Sequence, residues 1–253
     1  MKFLKDRVYA RELLAGAWCN LASSLTAEMA ARLGYDWVLF DQEHGPGDNM
    51  TLLHQMQAVE AWPVAPLVRV VWNDMPLIKR VLDLGAAGVM VPYVQSRAEA
   101  EQAVRATRYP PAGLRGVAST PRCSGFGQDF EDYFQRANRN LLTIIQVETR
   151  QALAQVSDLA AVEGVDVLFV GPLDLSVSLD LKRQFAEPAY REALAKVGQA
   201  AADHGKAAGI LLPGADLIPL AVDLGFTFLA VGSDGGLVRQ GLAENLQALK
   251  ANK

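Results

Sequence analysis

Several polar side chains interrupt apolar runs of this chain in segments whose residue types suit carbonyl chemistry. They are His44 in FDQEHGP (40–46), Arg69 in VRV (68–70), Gln146 and Glu148 in QVET (146–149), and Asp174 in VGPLDLSVSL (170–179). A histidine, titrating near neutrality, moves a proton to or from a substrate. An arginine fixes positive charge where an enolate oxygen develops. Glu148 and Asp174 offer two hard oxygen ligands. A site with only two protein ligands leaves about four octahedral positions for water and substrate, which suits Mg²⁺ or Mn²⁺ better than structural zinc. Plainer readings stand beside these. ETRQAL and DLSVSL could begin helices capped by their acids, a lone histidine is commonly structural, and Arg69 could pair with an acid of a neighbouring strand.

Carbonyl chemistry often uses a Schiff-base lysine at the end of a strand. Lys79 falls within a helical stretch and Lys206 precedes a strand. The expected electron sink is therefore a metal ion, and no organic cofactor is expected. Asp83, in VLDLGAAG, reads on spacing alone as a surface carboxylate.

The elements that must position these groups are short apolar runs: 13–18, 37–41, 64–70, 88–92, 141–147, 165–171, 206–212 and 227–232. They are continuously apolar, as strands of a parallel sheet covered on both faces should be. Amphipathic stretches alternate with them, at 25–33, 50–61, 75–84, 97–107, 151–161, 189–204, 216–223 and 237–250. Eight strands each followed by a helix predict a (β/α)8 TIM barrel, whose reacting groups come from the C-terminal strand ends. Those ends are Asp41 to His44, Arg69, Gln146 with Glu148, and the GPLD segment.

The stretch 108–140 is rich in turn residues and follows the fourth strand, so it is expected over the C-terminal face, where it could cover the site. Its Arg115, Ser119 and Arg122 are possible anion contacts. GSDGG (232–236), after the last strand, is either an anion-binding turn or a simple tight turn.

With 253 residues, 51% hydrophobic, and no linker rich in Gly, Pro or Ser, a single domain over 1–253 is expected. A net charge of −4 without a basic run gives no footprint for nucleic acid or a membrane surface. No apolar segment approaches the roughly 18 residues of a membrane span, which gives a cytoplasmic expectation. Cys19 and Cys123 read as free thiols.

Taken with LDLGAAGVMVPYVQS (82–96) and RYPPAGLRG (108–116), the motifs above closely resemble the HpcH/HpaI family of class II 2-oxo acid aldolases across nearly the whole chain. The resemblance implies a barrel that reversibly splits 4-hydroxy-2-oxo acids into pyruvate, or an analogue such as hydroxypyruvate, and an aldehyde. It implies a divalent metal (Mg²⁺, Mn²⁺ or Co²⁺) and a homo-hexamer, a trimer of dimers, whose last helix packs on a neighbouring subunit. By position, His44 matches the proton-transferring histidine, Arg69 the enolate stabiliser, and Asp83 an acid that raises the histidine's basicity. Gln146 matches a substrate-binding glutamine, Glu148 and Asp174 the metal ligands, and Leu173 a residue whose backbone meets the substrate carboxylate. Where relatives generally have EHAPN this chain has EHGPG, and Leu173 replaces the usual Ala or Ser. The alternatives weighed are a lyase acting on an acyl-thioester or phosphoenolpyruvate-type substrate, and a catalytically inactive metal-binding barrel serving as an assembly subunit.

Overall fold

The structure, a computed structural model, describes residues 2–181 and 187–252. Its strands are β1 (Leu14–Cys19), β2 (Trp37–Asp41), β3 (Ala65–Arg69), β4 (Gly88–Val91), β5 (Leu142–Val147), β6 (Val167–Val170), β7 (Ala207–Leu212) and β8 (Phe226–Val231). They pair in parallel and in chain order, and β8 closes on β1. The barrel expected from the alternating apolar runs is therefore present, with the strand boundaries shifted by one or two residues.

The helices are α1 (Lys5–Tyr9), α2 (Ser24–Leu33), α3 (Asn49–Val59), α4 (Met75–Leu84), α5 (Arg97–Thr107), α6 (Phe130–Asn140), α7 (Arg150–Ala154), α8 (Val156–Ala160), α9 (Pro172–Ser178), α10 (Pro188–Asp203), α11 (Ile218–Asp223) and α12 (Asp234–Ala251). Several start where a polar side chain accepts the third backbone N–H: Ser23, Asp48, Asp74, Ser96, Thr149 and Ser233 do so. These caps lie in the βα turns, so they fix the loops of the C-terminal face. No helix among the described residues is long and apolar enough to cross a membrane.

Side chains alternate between two cores, as strand geometry requires. One core fills the space between sheet and helices, and the other fills the barrel. Inside the barrel the Trp37 indole stacks on Phe228 at 4.3 Å between ring centroids. The indole lies on Gly16, where an added Cβ would come within 2.0 Å of it. A bulky ring on one strand thus requires a missing side chain on the next. The N-terminal mouth is closed by α1, whose Val8 joins the inner core with Leu4. Buried Asp166 latches this plug by accepting from Tyr9 (2.8 Å) and the Thr143 N–H (2.8 Å) while pairing with Lys5 (3.0 Å).

Two expectations need correction. Residues 108–140 do not follow the fourth strand directly: α5 intervenes, so they form an αβ connection at the N-terminal end of the barrel. There Arg122 bonds the Leu84 carbonyl (2.9 Å) and Glu60 (2.8 Å), and Ser124 bonds the Ser119 carbonyl (2.9 Å). The segment therefore cannot cover the site of its own chain, and its second half is not irregular, because residues 130–140 form α6. The stretch expected as one helix at 151–161 is likewise broken at Gln155 into α7 and α8.

Candidate active site

Strand β2 ends at Asp41, whose register partner on β3 is Arg69. Both are nearly buried. Asp41 Oδ2 accepts from Arg69 Nη2 at 2.6 Å and Oδ1 from Arg69 Nε at 2.9 Å, so one edge of the guanidinium is fully engaged. The Trp18 ring lies beneath it, 4.8 Å from the guanidinium carbon, and the indole N–H donates to Asp41 Oδ2 at 3.2 Å. Asp41 Oδ1 also accepts the backbone N–H groups of Glu43 (3.0 Å) and His44 (3.2 Å), which curls the turn beyond the strand. Burial pushes the Asp41 carboxyl upward, but the hydrogen bond and charge of Arg69, with the His44 N–H, outweigh it and hold the carboxyl below its ordinary value. The plain reading of Arg69, an ion pair with a neighbouring strand's acid, is realised. Nη1, on the other edge, lies 3.0 Å from Glu43 Oε2 and donates to Gln146 Oε1 at 3.5 Å.

On β5, buried Gln146 donates to Glu148 Oε2 at 3.2 Å. Glu148 Oε1 accepts the backbone N–H of Tyr93 at 2.6 Å. Gly171, at the end of β6, makes room for this carboxylate: a Cβ there would stand 2.5 Å from Glu148 Oε2. Asp174 lies in the first turn of α9. The helix-cap reading fails for both acids, since Thr149 caps α7 and the N-cap of α9 is Gly171, which makes no side-chain cap bond.

Burial pushes the Glu148 carboxyl up to about 7, with the charges of Asp174 and Glu43 adding to the rise and the Tyr93 N–H and Arg69 opposing it. Glu43 is raised as well, first by its burial. Its Oε2 atom has Arg69 as a charge partner but lies off the donor direction, so it is buried without a hydrogen bond. Glu43, Glu148 and Asp174 thus crowd negative charge around one cationic group. Among the described residues no three such side chains converge as a complete ligand set, but the oxygens of Glu148 and Asp174 are hard donors, and a divalent cation held by that pair with water and substrate would relieve the repulsion. His44 is exposed on the same rim, its Nε2 3.9 Å from Glu43 Oε2.

The structure therefore brings together Arg69, Gln146, Glu148 and Asp174, with His44 and Leu173 at the rim. Leu173 immediately precedes Asp174 and is 44% exposed. It does not bring Asp83 to His44 within the chain. Helix α4 runs back toward the N-terminal face, and Asp83 near its end pairs with buried Arg115 at 2.8 Å. Arg115 is held by the Tyr109 and Tyr133 rings, so it too is structural. Sequence reasoning placed Asp41 and Glu43 at the end of the second strand but gave them no role, and it missed Trp18. Asp41 had a detectable signal, because two five-residue strands end in Asp and Arg at the same level. Trp18 had none.

The GSDGG turn is already filled. Asp234 accepts from the backbone N–H of Asn20 (2.8 Å), the Thr26 hydroxyl (2.7 Å) and the N–H of Gly235 (2.8 Å). Ser233 takes the Gly236 N–H at 3.2 Å. Among the described lysines, Lys79 lies on α4 and Lys206 immediately precedes β7, where Asp166 is its neighbour.

Comparison with known proteins gives the same picture. A pyruvate aldolase of Rhizobium etli is 42% identical over 240 residues, covering 94% of this chain and 93% of the relative. A 5-keto-4-deoxy-D-glucarate aldolase of Shigella boydii is 39% identical over 235 residues, 93% of this chain and 91% of the relative. The crystal structure of an HpcH/HpaI aldolase/citrate lyase family protein from Burkholderia cenocepacia superposes with a TM-score of 0.92 at 37% identity, covering 98% of each chain. The family model for HpcH/HpaI aldolase/citrate lyase matches residues 14–241, from the first residue of β1 into α12 and across every strand that carries the site. With the barrel, the paired carboxylates and the anchored arginine in place, this chain belongs to the HpcH/HpaI aldolase/citrate lyase family.

Proposed function

We propose that this protein is a divalent-metal-dependent aldolase that reversibly cleaves 4-hydroxy-2-oxo acids to pyruvate, or a close analogue such as hydroxypyruvate, and an aldehyde. The observation that carries this reading is the under-compensated carboxylate cluster around Nη1 of Arg69. Glu148 and Asp174 would hold the cation, in Mg²⁺, Mn²⁺ or Co²⁺ form. When bound, the cation supplies Lewis-acid polarisation of the 2-oxo carbonyl.

The chain's own residues account for the rest. His44 takes the proton of the C4 hydroxyl; the C3–C4 bond breaks, C4 leaves as the aldehyde carbonyl, and the electron pair moves to the C2 oxygen as an enolate. Arg69 Nη1, aimed by Asp41, stabilises that oxygen. His44 returns the proton to C3, which completes pyruvate. Gln146 orients the 2-oxo acid from beside Glu148, and the Leu173 backbone meets its carboxylate. Asp83 has no part in this arrangement within one chain.

A phosphate-bearing substrate is disfavoured because the backbone donors of the GSDGG turn are taken by Asp234 and Ser233. An inactive assembly subunit is disfavoured by the cost of burying the Glu148 carboxylate beside the charges of Asp174 and Glu43 with no ligand to serve. Helix α12 leaves Leu237, Leu242, Leu246 and Leu249 exposed, which suits contact with another subunit of a homo-hexamer.

The test is an assay of pyruvate with a panel of aldehydes, in both directions. Chelation is expected to abolish turnover and added Mg²⁺, Mn²⁺ or Co²⁺ to restore it. Covalent trapping by borohydride in the presence of pyruvate would refute the metal-dependent reading.

A further inference from the structure

Two large aromatic side chains stand on the C-terminal rim beside the carboxylate pair, and the chemistry above leaves both unused. Trp72 follows β3 by three residues and is 53% exposed; Tyr93 follows β4 by two and is 47% exposed. Their rings stack at 5.7 Å between centroids, with 28° between the planes.

Tyr93 also adopts φ of +55°, in the left-handed region that a bulky residue seldom occupies. That conformation accompanies the 2.6 Å bond from its backbone N–H to Glu148 Oε1. The same residue therefore fixes a proposed metal ligand with its main chain and presents a ring at the rim with its side chain.

The two loops are tied down. The Asn73 side chain donates to the Glu99 carbonyl at 2.9 Å, and Gln102 donates to the Asn73 carbonyl at 3.0 Å. Glu99 accepts the Gln95 N–H at 2.6 Å, and Thr149 donates to the Gln95 side chain at 3.1 Å. An exposed aromatic pair on anchored loops offers a flat apolar surface at little entropic cost. Segments 71–74 and 92–96 contain no lysine or arginine, so they offer a carboxylate tail no charge partner. Leu173 adds a further exposed apolar side chain next to Asp174.

The geometry points to the Trp72–Tyr93 pair as the wall that receives the aldehyde end of the substrate, selecting aldehydes with a flat, apolar, ring-bearing tail. This rests on the aldolase reading above, and it assigns the half of the substrate that the carboxylates and Arg69 do not touch.

The test compares wild type, Trp72→Ala, Trp72→Phe and Tyr93→Gly, each loaded with Mn²⁺, in pyruvate addition to benzaldehyde and to glycolaldehyde. Glycine suits position 93 because it adopts positive φ without strain, so the ring is lost while the N–H stays in place. The benzaldehyde-to-glycolaldehyde ratio of kcat/KM is expected to fall about tenfold or more in Trp72→Ala and Tyr93→Gly, and to recover in Trp72→Phe.

A second readout needs no turnover: saturation-transfer NMR of benzyl alcohol, with contact to its ring protons expected in wild type and lost in Trp72→Ala. An unchanged ratio, or ring contact equal in wild type and Trp72→Ala, overturns the inference. A changed native mass of Trp72→Ala also overturns it, by making the pair a subunit contact. Ring contact that depends on Trp72, without turnover of any aldehyde, supports ring recognition and refutes the aldolase reading alone.

Discussion

Asp41→Asn tests whether the buried anchor of Arg69 underlies both folding and activity. Five donors converge on this carboxylate: Glu43 N–H, His44 N–H and Arg69 Nε on Oδ1, with Trp18 Nε1 and Arg69 Nη2 on Oδ2. Asparagine has the same shape but only one acceptor oxygen. Its better orientation keeps the three bonds at Oδ1 and turns an NH₂ group toward two other donors. Both lost bonds run to a charged carboxylate and each contributes about 1.5–3 kcal/mol, so the loss should total about 3–6 kcal/mol. That agrees with the about 3–5 kcal/mol expected when one partner of a buried ion pair is removed.

Arg69 should then lose its fixed direction, and kcat/KM for retro-aldol cleavage should fall about 10²–10³-fold, as for loss of an oxyanion donor. Chemical denaturation and steady-state kinetics on the same preparations provide the two readouts. The folded-state pKa of Asp41 lies below 3.8, so its stabilisation is present above that value and is lost as pH falls through the folded pKa. Asp41→Asn should lack this acid limb. Stability within about 1 kcal/mol of wild type, together with kcat/KM within about threefold, would refute the anchoring argument.

Further outcomes follow from other groups. In the metal-free protein a Glu148 proton, with a pKa near 7 against an ordinary 4.5, competes with the cation. Mn²⁺ affinity should therefore weaken by about tenfold per pH unit below that pKa, measured by calorimetry, and a flat profile would count against Glu148 as ligand. The native state holds this proton where the unfolded chain has lost it. Stability of the metal-free protein should therefore decline as pH rises from 4.5 through about 7, and melting curves with and without Mn²⁺ check the recovery. Gly171→Ala places a methyl group 2.5 Å from Glu148 Oε2, so Mn²⁺ affinity should drop at least about tenfold while the far-ultraviolet dichroism is unchanged. Asp166→Ala removes the acceptor that latches α1 and should cost about 3–5 kcal/mol in denaturant unfolding, with proteolysis beginning near the N-terminus.

The sequence by itself determined the barrel and named most of the side chains of the candidate site. A strand covered on both faces has to be apolar throughout, so WVLFD and LLTIIQV could be recognised without knowing their neighbours. Candidate reacting groups are sought where such runs end, and His44, Arg69, Glu148 and Asp174 stand at or just beyond those ends. What only the tertiary structure decided depends on which ends and faces meet. The 108–140 segment was given to the wrong end of the chain's own barrel, because distance in sequence does not say that an intervening helix has carried the chain back to the N-terminal face, and only the fold shows that Asp83 pairs with Arg115 there instead of meeting His44 of the same chain. The helix-cap reading of the carboxylates was excluded by Thr149 and Gly171, which occupy the N-cap positions of α7 and α9. Asp41, Trp18 and Glu43 act through partners on other strands, and the Trp72–Tyr93 stack joins two loops separated in sequence. Pairwise contacts of this kind have no period along the chain, so they became legible only once the barrel had closed.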